Sequence, residues 1–162
     1  MLIADTSALI SIAVIDLLDT TVEEFDVHTT DTVVNELEET TSYDDRHGEA
    51  ATTVLDNSDR ITTHFLDDEF TSSRVDEGEG SCAILSKEID ATFLITDDLR
   101  ALPELQTVAD ARVVISPIVL KALVKRAELD REAALEKLDA LANQRDWLGA
   151  PIYRRAKRLS DK

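Results

Sequence analysis

The sequence predicts an α/β fold of three layers, α/β/α, with a central parallel sheet covered by helices on both faces and a C-terminal helical extension. Short apolar runs alternate with helical patterns along the whole chain, as expected of strands joined by crossover helices. No internal repeat or low-complexity linker interrupts the alternation. The 162 residues suit a single domain spanning 1–162, with an α/β core over about 1–116 and helices over about 117–162. A chain of this size buries roughly two-thirds of its unfolded surface.

Leu2-Ile3-Ala4 reads as a buried strand, and Asp5-Thr6-Ser7 supplies capping residue types for an apolar-rich helix from Ala8 to Leu18. An extended segment from Phe25 to Thr29 precedes a second cap pair, Asp31-Thr32, and a helix on which Val33, Val34 and Leu37 share a face and which carries Glu36. Residues 44–57 form a weaker helical pattern, Ile61 to Phe65 a strand, and Asp67 to Glu77 an acidic connection with few apolar anchors. Cys82, Leu85, Ser86 and Ile89 recur at helical spacing on a helix entered through Gly78-Glu79-Gly80. Phe93-Leu94-Ile95 is a buried strand that ends in Thr96-Asp97-Asp98 and leads into a short helix to Pro103. Val113-Val114-Ile115 gives one more strand, and Ser116-Pro117 opens a helix to about Ala127. Asp130 caps a last long helix whose Leu135, Leu138, Leu141 and Ala142 form a core-facing stripe, closed by Gly149 and Pro151.

Composition excludes several classes. With 43% hydrophobic residues the chain folds despite a net charge of −17. No apolar run approaches the roughly 20 residues of a membrane span, so no membrane association and a cytoplasmic location are expected. A single cysteine, Cys82, and three scattered histidines, His28, His47 and His64, leave neither a disulfide framework nor a Cys/His zinc site. Any metal therefore sits on oxygen. The charge comes from 20 Asp and 14 Glu against 11 Arg and 6 Lys, a profile that resembles proteins of salt-loving archaea. In molar salt the Debye length falls to about 3 Å, and repulsion between surface carboxylates is screened. Residues 1–111 hold 27 acidic and 5 basic groups, whereas 112–162 hold 7 and 12, so the C-terminal third is electrically a different surface.

In open parallel sheets, ligands bind outside the carboxyl ends of the strands, where Asp5 and the Asp97-Asp98 pair are expected. Glu36 and Glu79 lie on the neighbouring crossover helices. Taken singly, each has a structural explanation: Asp5 and Asp98 as caps, Glu79 in a helix first turn, Glu36 on a solvated face. Taken together, four or five carboxylates in one small volume repel unless some protonate or a cation intervenes. A hard divalent metal resolves that conflict and supports phosphate-ester chemistry.

In order and spacing, Leu2-Ile3-Ala4-Asp5-Thr6-Ser7-Ala8-Leu9-Ile10, Val33-Val34-Asn35-Glu36-Leu37, Asp76-Glu77-Gly78-Glu79 with Ala83-Ile84-Leu85, and Leu94-Ile95-Thr96-Asp97-Asp98-Leu99-Arg100 resemble the PIN-domain nucleases. The resemblance spans essentially the whole chain and is nearest to the toxin-type branch with a Gly-Glu pair, an Asp-Asp pair and a C-terminal helical extension. It implies catalysis and metal binding by Asp5, Glu36, Glu79 and Asp97 or Asp98, with Thr6, Ser7 and Thr96 in support. It further implies Mg²⁺- or Mn²⁺-dependent cleavage of single-stranded RNA, a small antitoxin protein as partner, and a homodimer. Two departures bear on it: the third acid is a Glu with Asp76-Glu77 beside it, and the consecutive Asp97 and Asp98 compete for the last position.

Arg154, Arg155, Lys157 and Arg158 form the densest basic cluster and are candidates for RNA binding. Trp147, Tyr153 and Cys82 read as packing residues. Two other readings compete: a catalytically silent PIN-like module that binds RNA or protein, and a phosphatase of the haloacid-dehalogenase type. The phosphatase needs an acid two residues after Asp5, where this chain has Ser7.

Overall fold

A computed structural model describes residues 1–145, 147 and 150–160. Five short strands, β1 (Leu2–Ala4), β2 (Val27–Thr30), β3 (Thr62–His64), β4 (Phe93–Ile95) and β5 (Arg112–Val114), form one sheet in the order β3-β2-β1-β4-β5. Every pairing is parallel, with Ile3 opposite His28 on one side and Leu94 on the other. The expected parallel α/β architecture is observed.

Nine helices accompany the sheet among the described residues: α1 (Thr6–Val14), α2 (Leu18–Glu24), α3 (Asp31–Thr40), α4 (Arg46–Asp56), α5 (Glu77–Glu88), α6 (Leu102–Val108), α7 (Ile118–Lys125), α8 (Arg131–Gln144) and α9 (Pro151–Ser160). Right-handed crossovers call for helices on opposite faces for the leftward steps β1-β2-β3 and the rightward step β4-β5; α4 packs against α1 and α3, and α5 against α6. Ile3, Leu9, Leu37, Leu85, Leu94, Ile115, Leu138 and Leu141 are fully buried between these layers, and Cys82 and Trp147 are buried as packing residues. No helix among the described residues is long and apolar enough to cross a membrane.

Several boundaries differ from expectation for local reasons. The helix expected from Ala8 to Leu18 is two helices, because Asp16 adopts a left-handed backbone (φ 57) between them. Thr30, not Asp31-Thr32, caps α3, its hydroxyl accepting from the Val33 N–H at 3.2 Å. Pro103 opens α6 instead of closing a helix, since a first-turn proline sacrifices no hydrogen bond. Asp130 caps α8 as expected, accepting from the Ala133 N–H at 2.7 Å. Leu138, Leu141 and Ala142 are buried while Leu135 is only partly so. Pro151 begins α9, and the role expected of Gly149 lies outside the described residues.

Candidate active site

β1 lies between β2 and β4, so the chain leaves the carboxyl ends of β1 and β4 in opposite directions. A crevice opens there, at the switch point where such sheets bind ligands. Asp5 follows β1, and its N–H donates to the Ile95 carbonyl at 3.2 Å. Its Oδ1 accepts from the Ala8 N–H at 2.9 Å and from the Ser7 hydroxyl at 2.8 Å, so Asp5 caps α1. Ser7 Oγ also accepts from the Asp97 N–H at 3.0 Å and thereby ties the two strand ends together. Burial pushes the Asp5 carboxyl up to about 7, against hydrogen bonds from Thr96, Ala8 and Ser7 that favour its charged form.

Glu36 stands on the second turn of α3, where Thr6 Oγ1 donates to its Oε1 at 2.6 Å. Its pKa is raised, first by burial and then by the charges of Asp76, Glu39 and Glu77. Glu79 is the third residue of α5 and half of a capping box: Asp76 Oδ1 accepts its N–H at 2.8 Å, and Glu79 Oε2 accepts the Asp76 N–H at 3.0 Å. α5 therefore begins at Glu77 behind its cap Asp76, one residue before the Gly78 entry expected from sequence. Glu79 is only 6% exposed, and this burial pushes it up to about 9, with a hydrogen bond to Asp98 acting in the same direction.

Asp5, Thr6, Ser7, Glu36, Glu79 and Asp98 line one cleft of ≈ 420 Å³. Asp97 does not line it. Its two carboxylate oxygens accept from the Ser116 N–H and hydroxyl, and burial raises its pKa. Of the two candidate aspartates, Asp98 thus faces the cleft and Asp97 braces it. Thr96 is fully buried and accepts the Asp98 N–H at 3.2 Å through its hydroxyl.

Of the other lining residues, Asp76 is the neighbour that the sequence offers as a competitor of Glu79, whereas Ile10, Glu39, Thr40, Tyr43 and Arg145 are not among the residues the sequence singles out for the site. Tyr43 lies in a polar turn and Arg145 lies at the end of α8, 47 residues beyond Asp98 in the sequence, so no spacing pattern could link them to the acids. Burial lowers the Arg145 pKa, while the charges of Asp97 and Asp5 raise it. Arg154, Arg155, Lys157 and Arg158 do not line the cleft. Arg155 borders a separate groove along β5, and Lys157 Nζ pairs with Asp139 Oδ1 at 3.3 Å.

Among the described residues that line the cleft, the charged groups are carboxylates and Arg145, with no Cys or His, so the donor chemistry fits a hard divalent cation. The donors are engaged locally, however: Glu36 by Thr6, Glu79 by the Asp76 N–H, and Asp98 by the Arg100 N–H at 2.9 Å. Among the described residues no three acidic, His or Cys side chains stand together closely enough to hold an ion. Side-chain rotation is needed to gather them.

Fold and cleft together define a class: a parallel α/β domain with an acidic, oxygen-lined cleft at its switch point. The family DUF3368, described as a PIN domain, matches residues 1–162, and the chain belongs to that family, whose fold is that of a nuclease. No curated protein is similar enough to the chain to match it.

Proposed function

We propose that this PIN domain is a metal-dependent endoribonuclease that hydrolyses phosphodiester bonds of single-stranded RNA. The observation that carries the reading is the convergence of Asp5, Glu36, Glu79 and Asp98, from four separate elements, on one cleft. Burial raises the pKa of Asp5, Glu36 and Glu79, so these three resist ionisation in one cleft. Mg²⁺ or Mn²⁺, when bound, supplies the missing positive charge, polarises a phosphate oxygen and activates a water. Asp5, Glu36, Glu79 and Asp98 hold the ion directly or through water. Thr6 orients Glu36, Ser7 and Thr96 orient Asp5, and Asp97 acts through Ser116 and through its charge beside Asp5.

Ser7 donates to Asp5 from the position where a phosphatase of the haloacid-dehalogenase type needs its second acid, which disfavours that chemistry. A silent binding module is the second reading, favoured by the absence, among the described residues, of three acidic, His or Cys side chains close enough together to hold an ion. The basic face of Arg154, Arg155, Lys157 and Arg158, which does not line the cleft, guides RNA or meets an acidic partner such as a small antitoxin. The toxin role and the homodimer rest on the family likeness alone. Cleavage of a labelled single-stranded RNA with Mn²⁺, its loss in EDTA and the absence of small-ester hydrolysis support the reading. No cleavage and no metal-dependent stabilisation select the silent module.

A further inference from the structure

We propose that Tyr43 and Arg145 form a nucleotide subsite on the carboxylate cleft, Tyr43 stacking on an unpaired base and Arg145 holding the adjoining phosphate. The inference rests on the ribonuclease reading and adds where a substrate nucleotide sits. Both side chains line the same cleft as the acids. Tyr43 is 64% exposed, an unusual position for a large aromatic residue. Its place is built by the backbone around it. The Tyr43 N–H donates to the Thr40 carbonyl at 3.1 Å, and Asp45 caps α4 by accepting the Gly48 N–H at 2.9 Å. A Cβ at Gly48 would collide with the Tyr43 carbonyl, so glycine is what lets this turn lie against α4 and hold the ring at the rim. An aromatic face is a sequence-tolerant platform for a base, and only an unpaired base presents its own face to it.

Among the described residues that line the cleft, Arg145 is the single cation. Its N–H continues the α8 pattern to the Leu141 carbonyl at 2.9 Å, which fixes the backbone at the helix end. Its guanidinium reaches His47 Nε2 at 3.5 Å, and among the described residues it forms no ion pair with Asp5 or Asp97, although both charges act on it. Most of the guanidinium fork is therefore left for a ligand, and that fork matches a phosphate in a bidentate manner. A wall of carboxylates repels a phosphate, and Arg145 offsets that repulsion from within the cleft. The volume of ≈ 420 Å³ falls in the range of about 300–1,000 Å³ typical of small-ligand sites.

The test uses the full chain with Mn²⁺, in the lowest KCl concentration that keeps it folded. It measures KM for a single-stranded oligoribonucleotide and thermal stabilisation by adenosine monophosphate and by inorganic phosphate. Tyr43→Ala is expected to raise KM about five-fold or more and to abolish the extra stabilisation by the nucleotide over phosphate, with Tyr43→Phe restoring both. Arg145→Gln is expected to lose the response to phosphate and nucleotide alike, and Arg145→Lys to recover part of it; the Lys variant carries the test if the Gln variant fails to fold. Unchanged KM and nucleotide response in Tyr43→Ala overturn the stacking role. An Arg145→Gln chain that melts lower yet still responds to phosphate makes Arg145 only a counter-charge to Asp5 and Asp97. RNA cleavage with variants like wild type removes the subsite and keeps the ribonuclease. Nucleotide binding through Tyr43 and Arg145 without RNA cleavage does the reverse, and no response of wild type to either small ligand removes the subsite outright.

Discussion

Ser116 engages both oxygens of the Asp97 carboxylate, its N–H donating to Oδ1 at 2.7 Å and its hydroxyl to Oδ2 at 2.7 Å. Asp98, the next residue, lines the cleft instead. One aspartate thus braces the loop after β5 while its neighbour, whose Oδ1 accepts the Arg100 N–H at 2.9 Å, lies on the cleft wall. Asp97→Ala is expected to destabilise the metal-free protein by about 1–3 kcal/mol, since it leaves the buried Ser116 N–H without an acceptor. Asp98→Asn should change stability by less than about 0.5 kcal/mol while cutting Mn²⁺-stimulated cleavage. Urea unfolding in EDTA, paired with cleavage assays, separates the two.

Gly78 has the Glu36 carboxylate where a Cβ would stand. Gly78→Ala therefore displaces the end of a flexible side chain and not backbone. Stability should move by less than about 1 kcal/mol, because alanine's helix propensity offsets the contact. Cleavage should fall up to about 100-fold, the usual cost of shifting a catalytic group by about 1 Å. Gly80→Ala meets the Phe70 carbonyl, a backbone atom, and should instead lower the melting temperature.

Burial raises Asp5 to about 7 and Glu79 to about 9, and Glu36 and Asp97 shift the same way. An acid whose folded pKa is raised holds its proton in the folded state. Its contribution is full below the unfolded value of about 4 and is lost as pH rises through the folded value. The metal-free protein should therefore lose stability from about pH 5 to about pH 9, and Asp5→Asn should flatten the part near neutrality. Asp26 and Asp139, whose pKa values are lowered by His28 and Tyr153 respectively, act only in more acidic solution. Urea midpoints across this range in EDTA check the sign, and a midpoint that rises with pH contradicts it.

The order of strands and helices was legible because apolar runs and caps are local signals: Leu2-Ile3-Ala4, Phe93-Leu94-Ile95 and Asp130 stand where their neighbours place them. Asp5 was legible as both a helix cap and a strand-end acid at the cleft, since a strand-end acid before a helix is read from three adjacent positions. The start of α5 was not, because the reciprocal Asp76–Glu79 capping box outweighs the glycines that seem to open the helix. The division of labour between Asp97 and Asp98 depends on Ser116, on another strand's exit, and the cleft roles of Tyr43 and Arg145 depend on tertiary placement alone.

Folding should depend on salt. With 27 acidic against 5 basic groups in residues 1–111, repulsion is strong when unscreened. The melting temperature is expected to rise from about 0.1 M to molar KCl. A flat or falling trend contradicts a salt-adapted surface.

The melting temperatures of wild type and Asp5→Asn, with and without Mn²⁺, test most directly whether the carboxylates at the switch point hold a cation. Asn caps a helix about as well as Asp, so the substitution isolates the charge. If the cleft binds the ion, Asp5→Asn leaves metal-free stability level or higher, because a buried carboxyl that resists ionisation is gone, and it abolishes most of the Mn²⁺-dependent rise seen in wild type. If Asp5 is only a cap, the two proteins melt alike in both conditions, and a wild type that Mn²⁺ does not stabilise contradicts the account.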